Sequence, residues 1–158
     1  MTLPTIALAA DHGGYGLKAQ IKQFLAESGY GVLDFGTDGP DSVDYPDYAR
    51  AVAEALRDGS AALGILVCGS GIGMSMVANR SSWVRAAVVG DVTSARLARL
   101  HNDANVLALG GRIIGWEVAR ECVSAFLTTP FEGSDRHQRR IAKFSSLPTG
   151  TPEDKEPA

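Results

Sequence analysis

A chain of 158 residues, 45% hydrophobic and 21% charged, has the length of one domain and enough apolar material for one core. Its net charge of −3 argues against a general nucleic-acid binder, which needs a basic surface. Two distant cysteines, Cys68 and Cys122, argue against a disulfide framework and for the cytosol; no apolar run reaches about 18 residues, so no membrane span is expected, and the start lacks the basic and apolar regions of a signal peptide.

Thr5 to Ala10 reads as a buried strand that ends in the turn Asp11–His12–Gly13–Gly14. Leu17, Ile21, Phe24 and Leu25 recur at helical spacing, and Gly29 stops that helix. Tyr30 to Phe35 is a second short strand, and Gly36 to Pro46 is a loop holding Asp44 and Tyr45. Ala49, Val52, Ala53 and Leu56 mark a second helix, closed by Asp58–Gly59. Leu63 to Val67 is the third strand, followed by a glycine-rich turn and a helix from Ile72 to Asn79. Arg85 to Val89 is the fourth strand; Asp91 or Thr93 can cap a helix running to about Leu100, and His101–Asn102–Asp103 is read as the next turn. Val106 to Leu109 is the fifth strand, a long helix face carries Val118, Cys122, Ala125 and Phe126, and a last helix covers Arg136 to Phe144. Residues 147–158 are rich in Pro, Gly, Thr and charge and are expected to be a disordered tail on a single domain, 1–146.

Strands alternating with helices imply a three-layer α/β/α sandwich around a five-stranded parallel, Rossmann-like sheet. The strands are continuous apolar runs, as buried parallel strands should be. Ligands in such folds bind beyond the carboxyl ends of the strands. Asp11 and His12, Asp44 and Tyr45, Cys68 and Ser70, Asp91, and Arg112 each follow a strand, so the topology should gather them at one sheet edge.

The turn Cys68–Gly69–Ser70–Gly71–Ile72–Gly73 joins a strand to a helix. Glycines let backbone N–H groups approach a ligand, and the first N–H groups of a helix lack internal partners and favour negative charge. A cysteine there is expected to be more reactive than an ordinary thiol, although a buried structural cysteine is the plain alternative. Cys122, on an apolar helix face, reads as core. Met74 and Ser75 stand where a P-loop needs Lys and Ser/Thr, and Met74 stands where a dinucleotide fingerprint needs its last glycine. His12 is either a turn histidine or a ligand contact. His101 is either a helix C-cap or an acid/base. His137, amid Arg136, Arg139 and Arg140, reads as part of a solvated face, but Arg136 and Arg140 are four apart and can clamp a phosphate. Zinc is not expected, because the histidines lack ligand-like spacing and the cysteines are unpaired.

One cofactor-free reaction uses this set: proton transfer between adjacent carbons of a phosphorylated sugar. It requires a base, N–H donors for enediolate oxygens, an acid/base that opens the sugar ring and a cationic phosphate clamp. Cys68, the Gly69–Gly73 amides, His101 and Arg136 with Arg140 match those needs. A non-catalytic nucleotide- or phosphosugar-binding module would use the same turn but has no need of both Cys68 and His101.

The motifs Asp11–His12–Gly–Gly, Asp44–Tyr45–Pro46, CGSGIGMS, His101–Asn102–Asp103–Ala–Asn–Val and Arg136–His–Gln–Arg–Arg140 resemble, in order and over about residues 4 to 145, the type B ribose-5-phosphate isomerases, a family that includes galactose-6-phosphate isomerase subunits. The resemblance implies interconversion of D-ribose 5-phosphate and D-ribulose 5-phosphate in the pentose phosphate pathway, with no cofactor and no metal. It implies Cys68 as the proton acceptor, since Met74 to Met76 contains no glutamate, and His101 as the ring-opening acid/base, aided by Ser70. It implies sugar contacts from Asp11, His12, Tyr45, Gly69, Gly71, Ile72 and Gly73. Asn102, Arg112, Arg136 and Arg140 would bind substrate and its phosphate. It also implies a homodimer or tetramer whose subunits complete each other's sites. Other phosphosugars, hexose or tetrose, stay open as substrates.

Overall fold

A computed structural model describes residues 3–147, so most of the tail expectation for 147–158 lies outside the described residues. The element order is β1 (Thr5–Ala10), α1 (Tyr15–Glu27), β2 (Gly31–Asp34), α2 (Tyr45–Arg57), β3 (Leu63–Cys68), α3 (Ile72–Ala78), β4 (Ala86–Val88), α4 (Val92–Asn102), β5 (Val106–Gly110), α5 (Trp116–Thr128) and α6 (Asp135–Ser145). All pairings are parallel and the strand order is β2-β1-β3-β5-β4. This is the expected five-stranded parallel sheet. The chain steps from β1 outward to β2, then returns across to β3. The order therefore reverses between β1 and β3, and the crevice at such a switch point is where ligands bind in open α/β sheets.

Side chains alternate across a strand, and here the alternation builds two cores. Ile6, Leu8, Ile65, Val67, Leu107 and Leu109 face α1, α4 and α5, where they meet Ile21, Leu25, Ala95, Val123 and Phe126. Ala7, Ala9, Leu66, Cys68 and Ala108 face α2 and α3, where they meet Ala49, Val52, Met74 and Ala78. Each fully buried Leu or Ile contributes about 1.5–3 kcal/mol relative to exposure. The small residues on the second face let the helices sit close: a Cβ on Gly64 would come 2.6 Å from Val52. Only the three central strands are fully enclosed. The outer strands β2 and β4 are half-buried, because an edge strand has one neighbour and incomplete helix cover.

Several candidate site residues sit differently from the sequence reading. Tyr45 opens α2 instead of lying in the preceding loop, because Pro46 is suited to a first helical turn. His101 and Asn102 belong to α4, which ends at Asp103 in the left-handed conformation (φ 45°). His137 is buried at 6% exposure and does not share the solvated face of its arginine neighbours, because α6 turns that side toward α4. Asp91, not Thr93, caps α4: its carboxylate accepts the Ser94 N–H at 2.8 Å and hydroxyl at 2.7 Å. Those bonds hold the Asp91 carboxyl below the usual range.

Candidate active site

The site-forming residues fall into two groups. The first surrounds the carboxyl end of β3. Cys68 is the last residue of that strand, 5% exposed. Its period-two phase with Leu66 turns the thiol toward the α2 and α3 face. The Gly71 N–H donates to Cys68 Sγ at 3.1 Å, and the Ile72 N–H donates to Ser70 Oγ at 3.3 Å. Two of the expected ligand amides are thus engaged inside the turn, where they fix the thiol and hydroxyl. Gly71 sits at φ +79° with the Leu109 backbone 2.9 Å from where a Cβ would be, so the turn is pressed onto β5.

Three further segments converge there. The β1 turn lies against the Cys68 turn: a Cβ on Gly13 would be 3.0 Å from Gly69 N, and one on Gly14 would be 2.3 Å from Val67 O. Asp11, 6% exposed, shapes this turn, with Oδ1 accepting the N–H groups of Gly13 at 2.8 Å and Gly14 at 3.1 Å. His12 Nδ1 accepts the Val43 N–H at 3.2 Å, which leaves Nε2 to carry the proton of the neutral ring. The Tyr45 phenol rests on Gly73, its hydroxyl 3.0 Å from a notional Cβ there. Arg112 donates its backbone N–H to Gly69 O at 3.0 Å and lays its guanidinium over Gly69. The sequence reading placed Asp11, His12, Tyr45, the Gly69–Gly73 turn and Arg112 together, and the structure brings them together.

His101, Asn102, Arg136 and Arg140 form the second group. α4 starts beyond the carboxyl end of β4 and runs back, so its last residues lie beside the amino end of β5. It also packs on the sheet face opposite α2 and α3. Cys68 pairs in register with Gly110 at the far end of that five-residue strand, a separation on the order of 15 Å at about 3.3 Å per residue. Within one chain, Cys68 and His101 do not face one pocket.

The α4 terminus is held firmly. Asp103 receives Arg85 at 3.0 Å and Arg99 at 2.9 Å, and Arg85 Nε also donates to the Asp103 carbonyl at 2.8 Å. The Glu132 N–H donates to Leu100 O at 3.0 Å. His137 stacks on His101, ring centroids 4.5 Å apart and planes 13° from parallel. Glu132 Oε2 lies 3.4 Å from His137 Nε2 and 3.9 Å from His101 Nε2. Burial holds the His137 imidazole below its usual range, with His101, Arg136 and Arg140 adding to the effect and Glu132 opposing it. Sequence spacing gave no hint that His101, Glu132 and His137 would bring ligand-type atoms within 4.8 Å of one another. The stacking does not suit a shared metal, since imidazole lone pairs lie in the ring plane and two nearly parallel planes do not meet near the rings. A cleft of about 430 Å³ is also at this end, between Asn79, Arg85, Ala98, Asn102 and Phe144. It does not reach Cys68.

Residues 6–144 match the sequence model of a family described as Ribose/Galactose Isomerase. The chain belongs to that family. Ribose-5-phosphate isomerase B of Escherichia coli is 44% identical over 142 residues, covering 90% of this chain and 95% of that protein. D-erythrulose-4-phosphate isomerase of Pectobacterium atrosepticum is 44% identical over 131 residues, covering 82% and 86%. The crystal structure of a ribose 5-phosphate isomerase from Thermotoga maritima superposes with a TM-score of 0.89 at 48% identity, covering 91% of this chain and 99% of that one. This ribose/galactose isomerase family member is accordingly a sugar-phosphate isomerase. No helix among the described residues of the isomerase is long and apolar enough to cross a membrane.

Proposed function

We propose that the isomerase interconverts D-ribose 5-phosphate and D-ribulose 5-phosphate, one step of the pentose phosphate pathway, in the cytoplasm and without a cofactor. The observation that carries the proposal is the convergence of the Cys68 thiol, the glycine turn, His12, Tyr45 and Arg112 at the β1/β3 switch point, in a chain 44% identical to a ribose-5-phosphate isomerase B.

Furanose opening breaks the C1–O4 bond. His101 gives a proton to O4, assisted by Ser70; the O1 hydroxyl loses its proton to solvent, and solvent returns one to His101. Cys68, as the thiolate, then takes the proton from C2 and delivers it to C1, while the O2 hydroxyl gives up its proton to solvent and O1 takes one, the pair of electrons moving through an enediolate. Amides of the Gly69–Gly73 turn stabilise its oxygens. Asp11, His12, Tyr45 and Ile72 line the sugar. Asn102, Arg112, Arg136 and Arg140 hold the substrate and its phosphate.

C1, C2 and O4 of one sugar are only a few ångströms apart, whereas Cys68 and His101 of one chain are separated by the sheet. The reading therefore requires a second copy that presents His101, Arg136 and Arg140 to the first copy's Cys68. Ile72 (51% exposed), Met76 (65%) and Ile113 (69%) flank the Cys68 turn and supply apolar surface for such a homodimer or dimer pair. A tetrose phosphate is the second reading, favoured by the Pectobacterium relative. Ketose formation by the purified protein in EDTA, from a panel of ribose, erythrose and hexose phosphates, tests both. Turnover preferring ribose 5-phosphate supports the first; a preference for another phosphosugar replaces it.

A further inference from the structure

We infer that Glu132, with His137 stacked behind the ring, is a positioning residue that fixes the His101 imidazole for ring opening. The inference rests on the isomerase reading above. A general acid must present its proton along a defined direction. His101 is near a helix end with its side chain 37% exposed, and such a ring turns freely unless something holds it. Three things do. The helix end is clamped through Asp103 by Arg85 and Arg99. His137, 6% exposed, gives the ring a flat wall at 4.5 Å. Glu132 faces the Nε2 edge at 3.9 Å, from a backbone itself tied to Leu100.

The arrangement assigns the two edges of the imidazole different tasks. A carboxylate on one edge favours a proton there and turns the other nitrogen outward, as orienting carboxylates do for catalytic histidines. The outward nitrogen can then give its proton to O4 while the inward N–H stays against Glu132. The 3.9 Å separation is longer than a hydrogen bond, and such contacts tighten when substrate covers the site. The other charged groups around the pair are Arg136 and Arg140 of α6, with Arg136 Nη2 3.4 Å from His137 Nε2. They attract phosphate, while Glu132 Oε2 lies 3.4 Å from His137 Nε2 and 3.9 Å from His101 Nε2, so the one carboxylate faces both stacked rings. Burial lowers the His137 imidazole below its ordinary range, and the ring backs His101 as a wall.

The test separates ring opening from proton transfer in the full-length enzyme. D-ribulose 5-phosphate is open-chain, because its C5 oxygen is phosphorylated. Exchange of its C1 proton with D₂O, followed by NMR, reports the Cys68 step alone. Glu132→Gln should lower kcat for D-ribose 5-phosphate by about 10–100-fold, with KM and the C1 exchange rate within about twofold of wild type. Glu132→Asp, which keeps a carboxylate on a shorter stem, should recover part of the loss, with melting temperatures of both variants matched to wild type. Unchanged kcat in Glu132→Gln, or equal loss of turnover and exchange, overturns the inference. A wild-type protein without turnover of ribose 5-phosphate would instead overturn the functional reading itself.

Discussion

Cys68 and His101 lie at opposite ends of the sheet and belong to opposite faces of it. The separation follows from topology: every helix in a parallel fold returns the chain to the amino edge, so a residue at the end of α4 cannot reach a residue at the end of β3. Two inactive variants should therefore rescue each other. On the proposed homodimer, Cys68→Ala and His101→Asn mixed and refolded together should form hybrid dimers in which one of the two sites has both groups intact. Such a mixture should regain about a quarter of wild-type activity, from statistical pairing around a two-fold axis. A mixture as inactive as its parents would overturn the proposal that two subunits share each site.

The two cysteines should differ sharply toward a thiol reagent. Cys122 is fully buried on α5, and burial, with Asp91 and Glu121 nearby, pushes its thiol up to about 11. It should stay unmodified by iodoacetamide at neutral pH. Cys68 borders the crevice and should be alkylated with loss of activity, and bound phosphosugar should protect it. Cys68→Ala should lower turnover by about 10³-fold with an unchanged melting temperature, whereas Cys122→Ala should cost stability, not turnover. Peptide mapping by mass spectrometry with parallel assays decides; activity loss that tracks Cys122 labelling would reverse the assignment.

The fold and the first half of the site were legible in the sequence because both depend on local signals. Apolar runs mark β1, β3 and β5, glycines mark their ends, and in a parallel sheet those ends share an edge. The placement of Asp11, His12, Tyr45, Cys68 and Arg112 follows without knowledge of packing. The second half was not legible. Glu132 sits in a loop before α6 with no periodicity, and His137 looks like one more polar residue in an arginine-rich helix. Their place beside His101 comes from the docking of α6 on α4, a contact between segments far apart in the chain that no local pattern encodes. The reading of His101 as a turn residue failed for a related reason: Asp103, held by Arg85 from before β4 and by Arg99, extends the helix beyond where its apolar spacing fades.

Gly71 should tolerate no side chain. Its φ of +79° costs an L-residue about 1–2 kcal/mol, and a Cβ would meet the Leu109 backbone at 2.9 Å, a contact that no rotamer relieves. Gly71→Ala should lower the melting temperature and also weaken catalysis, because the same N–H holds Cys68 Sγ. Gly16, where a Cβ meets nothing within 4 Å, is the control, and Gly16→Ala should leave both unchanged. Urea melts and assays of the pair check this; equal behaviour of the two variants would mean that the turn has slack.

Acid sensitivity should trace to one buried ion pair. Lys18, 2% exposed, donates to Asp34 at 2.7 Å and Asp38 at 3.3 Å, while Lys22 donates to Asp34 at 2.8 Å. Burial opposes charge on Asp34, but the bonds from Lys18, Lys22 and the Gly36 N–H outweigh it and hold the carboxyl below its ordinary 3.8. A carboxyl with a depressed folded-state value binds its proton more readily when unfolded. Its stabilisation is therefore complete above pH 3.8 and disappears as pH falls through the lower, folded-state value. Lys18→Met should cost about 3 kcal/mol at neutral pH, since it strips the buried partner from a charge that stays. Asp34→Asn should flatten the decline of stability below pH 4, and because Asp34 also anchors the loop leading toward Val43 and His12, it should raise KM. Denaturation at a series of pH values from 2.5 to 7 measures the slope directly, and an Asp34→Asn protein that loses stability in acid as steeply as wild type would assign the sensitivity to other carboxylates.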